Sequence, residues 1–158
     1  MAVEPLFDIS AIDLEQTVVD RTGIEEFNKQ RGQAAQLDRI AWMKEDFTQA
    51  VGVRRVRDDE WWHDGHIPGN PIFPGVLQIE SAAQLSSYIY LRRLNYTFVG
   101  FAAVDNTKFR RMVVPGDDLV ILCNEIRFSR RIFITENQGW VKGELAFQTR
   151  ITGMTLIP

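Results

Sequence analysis

The sequence predicts an α+β fold in which antiparallel strands surround one long helix. The helix is indicated by a stretch without a helix breaker that runs from Gly75 to about Leu94. The other apolar segments are short and are bounded by turn-forming residues, as is typical of strands. Strands and helices do not alternate as they would in a parallel sheet. We expect a single domain over residues 1–158, because this length with 45% hydrophobic residues suffices for one core.

The N-terminal segment, about residues 1–25, is predicted to form an acidic arm or a short helix rather than a domain. The first 26 residues contain seven acidic side chains and one basic side chain, Arg21. They lack the basic start and apolar run of a secretory signal peptide. Residues 27–158 carry 14 acidic and 17 basic side chains, so the rest of the chain could receive an acidic partner.

Residues 35–56 favour a pair of strands around a turn, because apolar side chains recur on one side of this segment. The long helix should be buried on most sides, since apolar residues lie nearly all the way around it. Further strands, with breaks at 105–106, 115–116 and 137–139, are expected at Phe98–Val104, Lys108–Val113, Asp118–Phe128 and Gly139–Met154.

The segment 61–75 is predicted to be an irregular loop that leads into the long helix. It contains three prolines and three glycines, which exclude regular structure. Pro74 suits the first turn of a helix, where a missing N–H costs nothing. Loops of this kind often carry functional residues on a rigid scaffold.

Both histidines of the chain, His63 and His66, lie in this loop. A neutral imidazole can accept a proton near neutral pH, and the surrounding prolines can hold it still. We therefore consider His66 a candidate general base. A histidine bonded to nearby backbone is an equally good interpretation of His66 and a better one of His63.

Glu80 and Gly75 are the other candidate site residues. Glu80 lies five residues into a helix with apolar neighbours, and burial would favour its neutral form, which can donate a proton to a leaving hydroxyl. A structural carboxylate bonded to Gln84 one turn later is the alternative. The Gly75 amide lies at the helix start, where free N–H groups can stabilise an oxyanion.

Other chemistries match the sequence less well. The glycines of the loop lack the Lys-Ser/Thr ending of a phosphate-binding loop, and His63, Asp64 and His66 form a poor zinc-ligand pattern. Cys123 lies in a predicted apolar strand, so it is not an obvious nucleophile. The scattered basic residues and a pI of about 5.4 argue against nucleic-acid binding. No apolar stretch reaches the roughly 20 residues of a membrane span, so no membrane association is expected.

The loop and helix resemble the 3-hydroxyacyl-acyl-carrier-protein dehydratases of type II fatty acid synthesis. The resemblance lies in Gly65-His66-Ile67-Pro68-Gly69-Asn70-Pro71-Ile72-Phe73-Pro74-Gly75-Val76-Leu77, followed by Glu80 and Ala83-Gln84. The spacing of 14 residues between His66 and Glu80 matches the family pattern. Weaker matches extend the resemblance over about residues 37–152; they are Phe101-Ala102 to Asp105, Lys108-Phe109-Arg110-Arg111 to Val114-Pro115-Gly116-Asp117, and Leu37-Asp38-Arg39-Ile40.

The resemblance implies a hot-dog fold, in which the sheet wraps the helix, and a homodimer or trimer of dimers. It implies that His66 removes the C2 proton, that Glu80 of the partner subunit helps to expel the C3 hydroxyl, and that the Gly75 amide holds the thioester carbonyl. It implies no cofactor, a cytoplasmic location and acyl carrier protein as the partner. Basic residues that could meet this partner are Arg110, Arg111, Arg127, Arg130 and Arg131.

Some residues depart from the family pattern. Ile67 replaces the usual Phe, Gln78 and Ser81 replace apolar or small residues, and the acidic arm replaces the usual opening segment. The acid is Glu80 rather than Asp, so the resemblance implies dehydration without double-bond migration. The alternatives are a non-catalytic hot-dog subunit that binds acyl chains or partners an enzyme, and a hot-dog acyl thioesterase.

Overall fold

The computed structural model describes residues 3–95 and 98–156. In these residues one antiparallel sheet has seven strands in the order β1-β2-β3-β5-β6-β7-β4. The strands are β1 (Val19–Asp20), β2 (Arg39–Met43), β3 (Gln49–Arg55), β4 (Phe98–Phe109), β5 (Asp118–Phe128), β6 (Ile132–Val141) and β7 (Glu144–Leu156). The helices are α1 (Arg21–Glu25) and α2 (Gly75–Leu91), and a 3-10 turn covers Gly32–Ala34.

Helix α2 packs against one face of the sheet, where it contacts β3, β5, β6 and β7. Eleven of its 17 residues are buried, which confirms that the helix is enclosed on most sides. The main core lies between this helix and the sheet and includes Leu85, Ile89, Ile121 and Phe147. A curved antiparallel sheet around one long helix is the expected hot-dog arrangement, so the predicted fold class is confirmed.

The helix ends earlier than the predicted residue Leu94. It stops at Leu91, and the amides of Arg93 and Leu94 then donate to carbonyls three residues earlier, each at 3.1 Å. Such bonds form a tight turn rather than an α-helix. The Arg92 guanidinium lies over the ring of Phe47, 4.8 Å from its centroid, and this contact holds the chain in the turn.

Two predicted strands, Phe98–Val104 and Lys108–Val113, are one strand in the structure. The predicted break at 105–106 is a bulge within β4, where Asn106 has a φ of 51°. A bulge inserts an extra residue without ending the strand, so a turn-like pair can lie inside one. The second predicted strand also ends earlier than expected, at Phe109.

The prediction of one strand over Gly139–Met154 was wrong. This segment contains the end of β6, a turn at Lys142 and Gly143, and β7, and the beginning of β6 was missed. Lys142 and Gly143 both have positive φ, 50° and 78°, as a tight hairpin turn requires. Gly139 is not a break, because it pairs with Ile121 on β5 and Phe147 on β7. The Phe147 ring occupies the space that a side chain at this position would need.

The N-terminal arm crosses the outer face of the sheet. The Asn137 side chain points to the helix and accepts from Ser86, so Gln138, the next residue, faces the other side. Gln138 accepts from the Leu6 amide at 3.0 Å and donates to the Glu4 carbonyl at 3.2 Å. No helix in the described part of the chain has the length and hydropathy that a bilayer span requires.

Candidate active site

The histidine loop, residues 56–74, connects β3 to α2. Two buried aromatic residues hold it, one in its first half and one near its end. Trp62 and Phe73 are almost fully buried, and their rings lie 5.5 Å apart. The Phe73 amide donates to the Val113 carbonyl at 2.7 Å, which ties the end of the loop to the segment after β4. The middle of the loop is exposed, so the fold presents it to solvent on a fixed frame.

His66 is half-buried and is held by two hydrogen bonds. Its amide donates to the Trp62 carbonyl at 2.8 Å, and its Nδ1 lies 2.7 Å from the Ile72 carbonyl oxygen. A carbonyl can only accept, so Nδ1 carries a proton, and in the neutral ring Nε2 therefore has the lone pair. His66 thus bonds to backbone, as the structural interpretation expected, in the tautomer that a base acting through Nε2 needs.

His63 has a different environment. Its Nδ1 lies 2.8 Å from Asp64, whose side chain is fully exposed. This arrangement is a surface contact between neighbouring residues. In residues 3–95 and 98–156, no group of three His, Cys, Asp or Glu side chains is arranged to hold a metal ion.

Ile67 follows His66 in a strained backbone conformation. Its φ is 60°, in the left-handed region that β-branched residues avoid. The Ile67 carbonyl accepts from the Asn70 amide at 3.0 Å, and this bond closes the turn at the exposed tip of the loop. Strain of this kind persists only where the surrounding contacts hold it, and it is concentrated at functional sites.

Helix α2 begins at the predicted residue, Gly75. The amides of Leu77 and Gln78 both donate to the Pro74 carbonyl, at 3.0 and 3.1 Å. The amides of Gly75 and Val76 precede the first helical bonds and carry the partial positive charge of the helix start. The Phe109 ring lies over Gly75, so a side chain here would come within 2.8 Å of it. The space that glycine opens is therefore filled by Phe109, whose ring must move if a substrate is to approach from this side.

Glu80 lies one and a half turns into α2, at a cavity of about 580 Å³. Burial raises the pKa of its carboxyl, and a hydrogen bond of 2.8 Å from the Gln84 amide group partly offsets this. The neutral acid is therefore favoured more than in water, as proton donation requires. The cavity is lined by Arg31, Gln33, Ala34, Gln36, Trp61, Leu77 and Glu80.

His66 does not line the cavity that holds Glu80. Of the histidine loop, only Trp61 does so, and its side chain is 57% exposed. Within one subunit the structure thus brings Glu80 together with Gln84 and Trp61, while His66 and its Nε2 lie outside this cavity. Of the remaining lining residues, Leu77 lies on α2 and the others come from the segment before β2.

Sequence reasoning missed the residues that support this site. Gln84 was expected to bond to Glu80, but it also donates to the Ala34 carbonyl at 2.7 Å and accepts from the Gln36 backbone amide at 2.8 Å. Arg54 is buried at the end of β3, where its guanidinium pairs with Glu60 at the start of the histidine loop. The available signal was an arginine at the alternate position between Gly52 and Val56, on the same side of the strand, because buried charges need partners.

Replacing Gln84 with leucine should raise the pKa of Glu80 further, because it removes the hydrogen bond that favours the carboxylate. The carboxyl 13C signal of Glu80, assigned by its loss in Glu80→Gln, measures this pKa in an NMR titration. The variant should also be less stable, by about 1–3 kcal/mol for each buried group left without a partner. An unchanged or lower pKa would contradict the role assigned to Gln84.

A family model described as a FabA-like domain matches residues 30–150. A 3-hydroxyacyl-[acyl-carrier-protein] dehydratase FabZ from Herpetosiphon aurantiacus is 41% identical over 109 residues, 68% of this chain and 77% of that protein. The protein of the same name from Pelotomaculum thermopropionicum is 34% identical over 136 residues, 85% of this chain and 96% of that protein.

Solved structures show the same fold. The dehydratase heterocomplex ApeI:P from Xenorhabdus doucetiae matches with a TM-score of 0.73 at 12% identity, over 85% of this chain and 91% of that chain. A thioesterase from Haemophilus influenzae matches with a TM-score of 0.58 at 17% identity, over 75% of this chain and 77% of that chain. The family match covers most of the chain and includes the histidine loop, α2 and most of the sheet. The chain therefore belongs to the FabA-like domain family, together with its FabZ-type relatives.

Proposed function

We propose that this protein is a 3-hydroxyacyl-acyl-carrier-protein dehydratase, which converts 3-hydroxyacyl thioesters to trans-2-enoyl thioesters in fatty acid or related lipid and polyketide synthesis. One relative that carries this name is 34% identical over 85% of the chain. The observation that carries the proposal is the pair of His66, whose Nδ1 bonds to a carbonyl, and Glu80, whose pKa is raised by burial, since a base and an acid need such features.

His66 is proposed to remove the C2 proton through Nε2. The electron pair of the broken C–H bond forms the C2–C3 double bond as the C3–O bond breaks. Glu80 protonates the leaving hydroxyl, which departs as water, and no oxidant or cofactor is consumed. The Gly75 amide would hold the thioester carbonyl while negative charge develops there. Proton transfer back from His66 to Glu80, directly or through water, would restore both groups.

The site is proposed to form between two subunits, with His66 and Glu80 coming from different chains. This arrangement is supported by the position of His66 outside the cavity of Glu80 in one chain. The carrier protein would approach near the start of α2. Of the basic residues considered, Arg110 is the best placed, because it follows Phe109, which contacts Gly75. Arg111 instead pairs with Glu144 at 3.0 Å.

The two subunits are proposed to meet along β4, which forms one edge of the sheet. An open edge offers backbone groups to a second copy, and β4 also exposes the apolar side chains of Phe101 and Val104. Val104→Arg should produce a monomer, because two copies would place like charges at the same contact. Light scattering after size-exclusion chromatography measures the mass, and dehydration should fall at least about 10-fold.

Val18→Arg is the matched control for this prediction. Val18 has a similar exposure, 47% against 42%, and lies at the opposite edge of the sheet beside β1. This variant should keep the mass and activity of the wild type. A dimeric Val104→Arg protein with full activity would exclude β4 as the interface.

The test of the function is the absorbance of the enoyl thioester while the purified protein acts on a 3-hydroxyacyl or crotonyl group on carrier protein. Appearance or loss of the double bond supports the dehydratase. Release of a free thiol instead would indicate a thioesterase. Binding of the carrier-bound acyl chain without any reaction would indicate a non-catalytic subunit.

A further inference from the structure

The buried guanidinium of Arg54 lies between the two halves of the proposed site. Its side chain is only 4% exposed, although arginine is rarely buried without partners. It lies near the end of β3, where the histidine loop begins, and it stacks over the Phe73 ring at 5.0 Å from the centroid. Phe73 lies at the other end of the same loop, so one side chain contacts both ends.

On the loop side, Arg54 pairs with Glu60. The same carboxylate accepts from the Trp62 indole at 3.0 Å and from the Arg57 amide at 2.8 Å. Burial tends to raise the pKa of Glu60, but these hydrogen bonds together lower it, so the group stays ionised. The Trp62 carbonyl in turn accepts a hydrogen bond from the His66 backbone amide. The ion pair thus holds the backbone to which His66 is bonded.

On the cavity side, the Nε of Arg54 donates to the Gln36 side chain at 3.2 Å. The backbone N–H of Gln36 donates to the Gln84 side chain, and the Gln84 side chain donates to the Glu80 carboxyl. A continuous series of hydrogen bonds therefore joins Glu80 to the loop of His66 within one subunit. In a dimer whose sites combine the two residues from different chains, this series would join one site to the other.

We infer that Arg54 is a positioning residue, which together with Glu60 holds the His66 ring in its working orientation and ties the histidine loop to the wall of the Glu80 cavity. Arg54 does not touch the reacting atoms in this scheme, and the inference rests on the proposed function for its kinetic consequences. A displacement of about 1 Å at a reacting group can cost about 10²-fold in rate, so small shifts of the loop matter.

Two variants distinguish a positioning role from a purely structural one, because only a positioning role lowers kcat in a variant that is as stable as the wild type. Arg54→Met alone leaves the Glu60 carboxylate buried without its main partner, which should destabilise the protein strongly. The double variant Arg54→Met/Glu60→Gln removes both charges of this pair. Asp38, 3.9 Å from the Arg54 guanidinium, keeps its ion pair with Arg57, so the thermal stability of the double variant should return close to that of the wild type. Its kcat should nevertheless stay about 10- to 100-fold lower with little change in KM, because the loop is no longer held.

Arg54→Lys provides a second measurement that keeps the buried charge pair and the fold. Lysine can reach one partner but lacks the planar fork that serves Glu60 and Gln36 together, so kcat should fall about 10-fold. Arg55→Met is the matched control, because Arg55 is the next residue on β3 and its side chain is 57% exposed. This control should keep the wild-type kcat and KM.

The closing experiment measures the His66 ring by 15N NMR, with His63→Ala to assign the two histidines, alongside kinetics of the same proteins. The wild type should show the single Nδ1–H tautomer, and Arg54→Lys and the stable double variant should show a mixture of tautomers. An unchanged His66 spectrum, or wild-type kcat in either variant, would overturn the inference. A wild type that shows no dehydration would overturn the proposed function instead, while the His66 spectra would still decide the role of Arg54.

Discussion

Replacing His66 with alanine is expected to lower kcat for dehydration by at least about 10²-fold while the protein stays folded. The imidazole lies on a loop whose buried anchors are other residues, Trp62 and Phe73, so its loss should not disturb the core. The variant loses the Nδ1 hydrogen bond to the Ile72 carbonyl. The rate is measured by the absorbance of the enoyl thioester on carrier protein.

His63→Ala is the control for this variant. His63 lies three residues away in the same loop, and its ring nitrogen lies 2.8 Å from the exposed Asp64. Its kcat should stay near that of the wild type. A His66→Ala protein that keeps its activity would remove the proposed base, and one that fails to fold would support a structural role for this histidine.

Replacing Glu80 with glutamine is expected to cause a comparable loss, at least about 10²-fold in kcat. Glutamine keeps the size of the side chain and can still accept from Gln84, but it cannot act as an acid at C3. Circular dichroism and thermal unfolding would verify the fold, and the kinetics use the same assay. Retained activity would show that another group protonates the leaving hydroxyl.

The pH dependence of the free energy of unfolding distinguishes a catalytic role of Glu80 from a structural one. The pKa of Glu80 is raised in the folded protein by burial, so the unfolded chain releases the proton at lower pH. The free energy of unfolding of the wild type should therefore decrease as the pH rises from the unfolded pKa through the raised folded pKa. Glu80→Gln should lack this component. A variant that is clearly less stable than the wild type at neutral pH would mean that the carboxylate stabilises the fold.

Mixing the two inactive variants tests whether the site is shared. If His66 and Glu80 act from different subunits, each mixed dimer contains one intact site and one doubly damaged site. Random exchange makes half of the dimers mixed, so the activity should return to about one quarter of the wild-type value. Mass spectrometry of the intact dimers would verify the exchange. No recovery after confirmed exchange would place both residues of each site in one chain.

Local residues were enough to predict several elements correctly. Pro74 and Gly75 marked the start of α2 because proline fits only the first turn of a helix. Strand β5 has the predicted bounds, Asp118–Phe128. The turn-forming pair Pro115-Gly116 precedes it, and the polar residues Ser129-Arg130-Arg131 follow it. The histidine loop and the residues proposed for chemistry were also recognisable, because their types are unusual for a loop and a helix of this kind.

Other features depended on contacts between residues far apart in the chain. Gly139 resembles a break in the sequence, yet it lies within β6 because it pairs with strands on both sides, and the Phe147 ring on β7 fills the space beside it. Asn106 looked like a turn, but pairing with β7 carries the strand through a bulge. A local pattern cannot show which ring covers a glycine or whether a neighbouring strand continues.

Residue types and their spacing along the chain were enough to predict the α+β class, the enclosed helix and the candidate pair of His66 and Glu80. Tertiary contacts were needed to establish the tautomer of His66, the raised pKa of Glu80 and the partners of Arg54. Each of these depends on which carbonyl, apolar surface or carboxylate the fold brings within contact distance. Such distances are set by packing, and packing is a property of the whole chain.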